Sequence, residues 1–257
     1  MGSKKRLSLG NSKKILKKPS GPKPDLSVVV IALNEEERIA QCIESLRSQE
    51  FGGSLEIILA DGNSFDRTVE VAKPLVDGII VEKCRNCAFE RNAGSLIARA
   101  PIIAFADSDS IIGKNWAKEI MKTFIDSKQT IAVFGVSGVH DAGKLERKLS
   151  RSLMASYAGY CYFTGTFAPA NSNYAFRSWA WKKADGMDTS YTTCEDHEFF
   201  SRISKLGKVV FNPKMVVYTS ARRMKKMGYL KFLTFQLENS KKFYSKGECA
   251  KEYENIR

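Results

Sequence analysis

The segment Ile102-Ile103-Ala104-Phe105-Ala106-Asp107-Ser108-Asp109-Ser110, "IIAFADSDS", decides how the rest of the chain reads. Its apolar run is too short for an ordinary helix and suits a strand buried on both faces. The run ends in two carboxylates one residue apart. Like charges at the end of a buried strand are unfavourable unless something neutralises or solvates them. Asp107 and Asp109 share one turn and can reach a single divalent ion. Mg2+ or Mn2+ takes one or two protein carboxylates and fills its other positions with water and phosphate oxygens. Capping of the next helix is the competing reading of a bare Asp-x-Asp.

Outward from this segment the same unit recurs. Leu26–Ala32 is a β-branched run suited to a central strand. Asn34 follows, a residue able to cap a helix. Ile39, Cys42, Ile43 and Leu46 then fall at i, i+3, i+4 and i+7, one buried helical stripe. Strand Leu55–Ala60 leads to Asp61 and a predicted helix over 65–76. Strand Gly78–Glu82 leads to a helix over 88–99, and strand 101–106 to a helix over 114–127. Thr130–Val136 is a further strand. This alternation predicts a doubly wound, mostly parallel α/β sheet. Ligands of such sheets bind beyond the carboxyl ends of the strands. Asn34, Glu35, Asp61, Asp107 and Asp109 should therefore converge on one rim.

The second half is less regular. A helix is expected over 144–162, a loop over Gly165–Asn173 and a short strand at Tyr174–Phe176. A helix over 179–184 carries Trp179 and Trp181, candidates for stacking on a ligand or for the core. A helix over Glu195–Leu206 opens with acids and ends at Gly207, an arrangement that suits its dipole. Strands near 208–211 and 215–219 precede a basic, aromatic helix over 227–243.

The net charge of +13 is unevenly spread. Residues 1–24 hold eight Lys/Arg and no acid, and residues 222–257 hold ten Lys/Arg and four Glu, which leaves 25–221 at −1. A basic stripe on the folded body, the usual footprint of a nucleic-acid-binding domain, is not indicated. Basic ends suit phosphorylated ligands or an anionic membrane surface. The division expected is a disordered tail (1–24), a catalytic domain (25–221, halves 25–138 and 139–221) and a basic helical segment (222–257). The last could lie on a membrane, on a second subunit in a homodimer, or on its own domain. No apolar run approaches the roughly 20 residues of a spanning helix, and no signal-peptide core is visible. The expectation is a cytoplasmic chain, peripheral at the inner membrane face. Six scattered cysteines with one Cys84-x-x-Cys87 and two histidines make a poor zinc site, and most should be free thiols.

The ordered pieces "VVVIALNEEERIAQCIESL", "EIILADGNSFDRTVEVA", "ERNAG", "IIAFADSDS", "NSNYAFRSWAWKKADGMD" and "CEDHEFFSRISKLG" resemble family-two glycosyltransferases over residues 26–220. The resemblance implies a GT-A fold with a mixed acceptor-side half. It also implies transfer of a sugar from a nucleotide diphosphate to an acceptor hydroxyl with inversion. By that resemblance Ala32, Asn34 and Glu35 line the nucleotide and Asp61 contacts the base, where a carboxylate accepts an N–H of uracil or guanine. Arg91 lies near the nucleotide and phosphates, work that suits a guanidinium. In Asp107-Ser108-Asp109 the metal ligand is Asp109, with Asp107 nearer the ribose and able to share the ion. Asp196 is the base and Glu195 its neighbour, since in-line attack by a hydroxyl needs a carboxylate to take the proton. Asn171–Arg177 lines the acceptor side; a glycan- or lipid-linked acceptor is expected, the lipid-linked one following if the 227–243 helix lies on a membrane. His197 beside the acidic pair reads as a residue of the helix surface.

One departure stands out. Relatives place a His after the last strand, whereas this chain reads Thr219-Ser220-Ala221-Arg222-Arg223. Arg222 and Arg223 become the candidates for the diphosphate, and the metal's third protein ligand is unassigned. A nucleotidyltransferase would share the sheet and the carboxylate-bound ion but wants a Gly-rich phosphate loop, which "ALNEEER" lacks. A non-enzymatic nucleic-acid binder conflicts with the near-neutral middle.

Overall fold

The computed structural model describes residues 12–167, 169 and 172–249. Among the described residues nine strands form one sheet: β1 (Lys13–Lys17), β2 (Leu26–Ala32), β3 (Leu55–Asp61), β4 (Gly78–Glu82), β5 (Ile102–Asp107), β6 (Ile111–Ile112), β7 (Thr130–Val139), β8 (Tyr174–Arg177) and β9 (Lys208–Thr219). Their order is β1-β4-β3-β2-β5-β8-β7-β9-β6. The pairs β4/β3, β3/β2, β2/β5 and β7/β9 are parallel, while β8 runs antiparallel between β5 and β7. Apart from the edge strand β1, the sheet is thus parallel in its first half, as the strand pattern predicts, and mixed in its second, as the resemblance implies.

The helices are α1 (Ile39–Arg47), α2 (Thr68–Ala72), α3 (Cys87–Ile97), α4 (Trp116–Asp126), α5 (Lys144–Thr164), α6 (Ser178–Lys183), α7 (Glu195–Ile203), α8 (Arg222–Met227) and α9 (Tyr229–Lys246). All seven residues of β2 are buried. Alternation sends Val28, Val30 and Ala32 towards one core with α1 and α4, and Val29 and Ile31 towards the other with α3 and α7. The second core is aromatic, with Phe105, Phe134, Tyr174, Phe176, Phe199 and Phe200 in mutual edge or tilted contact. A Cβ on Gly94 would overlap Val29, so glycine lets α3 settle directly on β2.

Several expectations are corrected. Residues 13–17 are an edge strand antiparallel to β4, and Lys13 Nζ lies 3.2 Å from buried Glu82. The expected disordered tail can therefore apply only to residues 1–11, which lie outside the described residues. Helix α2 shrinks to Thr68–Ala72, and the chain leads into it through an Asx turn in which Asp66 accepts from Thr68 N (2.9 Å). The two strands expected within 208–219 are one strand whose register jumps from Phe211 to Val216, with Asn212-Pro213 in the bulge. The expected helix over 227–243 begins afresh at Tyr229 after Gly228, whose φ of 87° is open to glycine. Among the described residues no helix is long and apolar enough to cross a membrane. All six cysteines are free.

Candidate active site

The strand ends β2, β3 and β5 and the N-terminus of α7 open on one side of the sheet, where a cleft of about 200 Å3 lies. Its lining includes Ala32, Glu35, Arg91, Asp107, Ser108, Asp109, Glu195, Asp196, Arg222 and Arg223. Ten of the predicted site residues are therefore brought together from segments nearly two hundred positions apart. Asn34 and Asp61 are not part of this lining.

Asn34 does not cap α1. Its φ is 56°, its N–H donates to Ser64 Oγ (2.9 Å) and its Oδ1 accepts from Phe65 N (3.0 Å). Asp61 is buried and accepts from Ser64 N (2.9 Å) and Ser64 Oγ (2.6 Å). Burial raises its pKa, against those hydrogen bonds. The two residues hold the loop between β3 and α2 against the end of β2.

Asp107 Oδ1 accepts from Ser172 Oγ at 2.6 Å and lies 3.8 Å from Arg91 Nη2. Asp109 Oδ1 accepts from Thr219 Oγ1 at 3.2 Å, and its Oδ2 lies 3.4 Å from Arg222 Nη2. Burial and the charge of Asp107 raise the pKa of Asp109; Arg222 opposes them. Arg222 also pairs with Glu35 Oε1. The other carboxylate oxygen, Glu35 Oε2, is buried and accepts no hydrogen bond, with Arg38 Nη1 at 3.5 Å. Arg222 thus fills the cationic place among Glu35 and Asp109. Among the described residues no three His, Cys, Asp or Glu side chains group as a complete metal cage. The chemistry of Asp107 and Asp109 suits an ion that completes its shell with water and phosphate oxygens.

Arg91 crosses the cleft floor. It is buried, pairs with Glu195 Oε1, donates from Nη2 to Ser172 Oγ (2.6 Å) and lies over the Phe105 ring at 5.8 Å. Glu195 and Asp196 open α7. Burial raises Glu195, more than Arg91 lowers it. Asp196 is also pushed up by burial, but the charge and hydrogen bonds of His197 prevail, and its pKa is lowered. The two neighbouring carboxyls are pushed in opposite directions, the pattern that separates acid from base roles.

His197 is not a surface residue. Its ring nitrogens meet Asp196 Oδ1 (2.7 Å) and Ser240 Oγ (2.8 Å), and Ser240 Oγ meets Tyr157 OH (2.9 Å). The partner Ser240 sits on α9, which buries Asn239 and lines the cleft with Gln236 and Ser240. Of the three possibilities for the C-terminal helix, packing on its own domain is the one observed. Ser172 carries the strongest signal the sequence did not offer: with φ 51° it is one of five non-glycine residues at positive φ among the described residues, and Asn34 and Cys194 at the same rim are two others. Such backbone is unfavourable by about 1–3 kcal/mol per residue and concentrates at working sites. Within the Asn171–Arg177 stretch, Asn171 lies outside the described residues. Arg177 turns away, donating to Thr130 O (2.8 Å) and stacking on Phe124. Trp181 is core, whereas Trp179 is exposed.

Residues 27–189 match the family model "Glycosyl transferase family 2". The putatively named glycosyltransferase EpsH of Bacillus subtilis is 29% identical over 126 residues, which is 47% of this chain and 36% of that one. The Escherichia coli UDP-Glc:alpha-D-GlcNAc-diphosphoundecaprenol beta-1,3-glucosyltransferase WfaP is 30% identical over 113 residues, 42% of this chain and 43% of that one. The chain therefore spans less than half the length of either relative. A mannosyltransferase from Pyrobaculum calidifontis, solved with GDP-Man and Mn2+, aligns with a TM-score of 0.68 at 17% identity over 92% of this chain and 69% of that chain. The fold is GT-A, and the chain belongs to glycosyl transferase family 2.

Proposed function

We propose that this chain is a metal-dependent, inverting glycosyltransferase and moves a sugar from a UDP- or GDP-sugar to a hydroxyl of a lipid- or glycan-linked acceptor. The observation that carries the reading is Arg91. One buried guanidinium stands between the Asp107 carboxylate and Glu195, which holds the donor end and the Glu195–Asp196 end of one cleft at a set spacing. WfaP, by its name, uses UDP-Glc and a diphosphoundecaprenol-linked acceptor, and the Pyrobaculum enzyme was solved with GDP-Man and Mn2+. Both donor bases therefore stay in the proposal.

Asp109, with Asp107, would hold Mg2+ or Mn2+, which when bound would neutralise the diphosphate leaving group. Arg222 exchanges its seat between Glu35 and Asp109 for the diphosphate, with Arg223 beside it. Asp196, kept ionised by His197, takes the proton of the acceptor hydroxyl as the new bond forms opposite the departing nucleotide. Glu195 stays paired to Arg91 and fixes the neighbouring base. Ala32, Glu35 and Ser108 form the nucleotide wall, and Asp61 with Asn34 sets the loop that meets the base. The decisive experiment is a calorimetric donor screen, UDP- and GDP-sugars with and without Mn2+. Binding of one donor class, tightened by Mn2+, is expected; no binding under any condition overturns the reading.

A further inference from the structure

Helix α5 has two unlike faces. Inward, Ala158 and Cys161 are buried, and Met154 and Tyr157 line the active-site cleft. Outward, Leu145, Leu149, Leu153, Tyr160 and Phe163 are 80%, 57%, 48%, 64% and 86% exposed. Their spacing of four, four, seven and three places them on one stripe of the helix. The helix is about 30 Å long at 1.5 Å per residue, so the stripe runs along an extended surface. Contiguous exposed apolar side chains of this size mark an interaction surface.

A row of cations flanks the stripe. Lys144, Arg147, Lys148 and Arg151 border a shallow groove shared with His140 and Tyr218. The only acid on the helix is Glu146, which is turned back to the Gly143 N–H at 3.3 Å. One acid among four cations offers little to neutralise the same row on a second copy of the chain. Anionic lipid headgroups neutralise it directly. Apolar residues on one face with basic residues at its margin is the arrangement of a helix lying in a membrane interface.

We infer that the outward face of α5 docks the protein onto an anionic lipid bilayer, with the Leu145–Phe163 stripe at the acyl boundary and Lys144, Arg147, Lys148 and Arg151 among the headgroups. The consequence for the acceptor rests on the functional reading above: the opposite face of the same helix lines the cleft, so the cleft lies about one helix diameter, roughly 10 Å, from the bilayer, and a lipid-linked acceptor would extend only its head group past α5 to meet Asp196. The docking itself does not depend on that reading.

The test is vesicle sedimentation of the full chain without donor. Phosphatidylcholine vesicles are compared with phosphatidylcholine–phosphatidylglycerol vesicles. Binding is expected for the anionic vesicles alone. Leu145→Ser/Leu149→Ser/Leu153→Ser should weaken it at least about tenfold, and Arg147→Ser/Lys148→Ser about fivefold per charge removed. Leu149→Trp, read by emission, should shift to the blue on anionic vesicles. All these side chains are exposed, so melting temperatures should match the parent. The inference is overturned by absence of vesicle binding, by a triple-serine variant that binds like the parent, or by an unshifted tryptophan. A dimer in sedimentation equilibrium that the triple-serine variant dissolves also overturns it, in favour of a second copy. Vesicle binding together with a failed donor screen would leave the docking standing and remove only the functional reading.

Discussion

At Asp196 the burial of a carboxylate and the partner that keeps it charged meet in one side chain. Asp196→Asn keeps the shape of the site and removes the base. Turnover should fall about 10^2–10^4-fold with donor affinity nearly unchanged, measured by steady-state transfer and calorimetry. The lowered pKa also has a sign for stability. The favourable contribution of ionised Asp196 is fully present above the ordinary carboxylate pKa and is lost as pH falls through the lowered folded value. Asp109 is the opposite case, with its pKa raised by burial beside Asp107. Its ionised form is unfavourable in the donor-free protein at neutral pH, and protonation relieves it as pH falls through the raised value. Asp109→Asn should therefore raise the melting temperature of the free protein while abolishing the Mn2+ dependence of donor binding. A lower melting temperature would show that the pairing with Arg222 outweighs the crowding.

Among the elements, β8 is the piece that turns a parallel sheet into a mixed one, and Asn173 just before it fastens the change. Its Nδ2 donates to Val136 O (2.9 Å) and Met215 O (3.0 Å), and its Oδ1 accepts from Trp116 Nε1 (2.8 Å). Asn173→Ala takes one partner from each of these three groups and should destabilise the fold by about 2–4 kcal/mol, read by denaturant unfolding. The first four parallel strands, the helix stripe of α1 and the Asp107–Asp109 turn are legible in the sequence because each is written locally, as an apolar run followed by polar residues. Asn173, Ser172 and the seat of Arg222 are not. Their roles come from partners that are distant in the chain, and nothing in a neighbouring stretch announces a serine at positive φ. The role of His197 is hidden for the same reason: its partner Ser240 arrives from α9, forty-three residues later. Strand β1 is hidden in the sequence because lysines at a sheet edge look like a solvated tail, although they also guard an edge against pairing with other chains.

For the molecule as a whole, β1 closes one edge of the sheet and covers β4. Removing residues 1–17 deprives buried Glu82 of Lys13 and uncovers the β4 edge. The truncated protein should lose about 2–4 kcal/mol and tend to aggregate, checked by thermal melting and light scattering; an unchanged melting temperature would make β1 a bystander. The same placement separates the two basic ends. Strand β1 stands at one margin, and β9, which feeds the basic α8 and α9, is eighth in the order of nine. Seven strand spacings of about 4.8 Å put them about 34 Å apart across the sheet. Helix α9 spans that gap: Tyr191 OH donates to Gly247 O at its end, and Tyr191 O accepts from Asn86 Nδ2 just beyond β4. Its lysines therefore carry positive charge from one basic end back towards the other along the cleft side, and near a negative plane such an uneven body feels a torque before it makes contact, so that approach and orientation are one event.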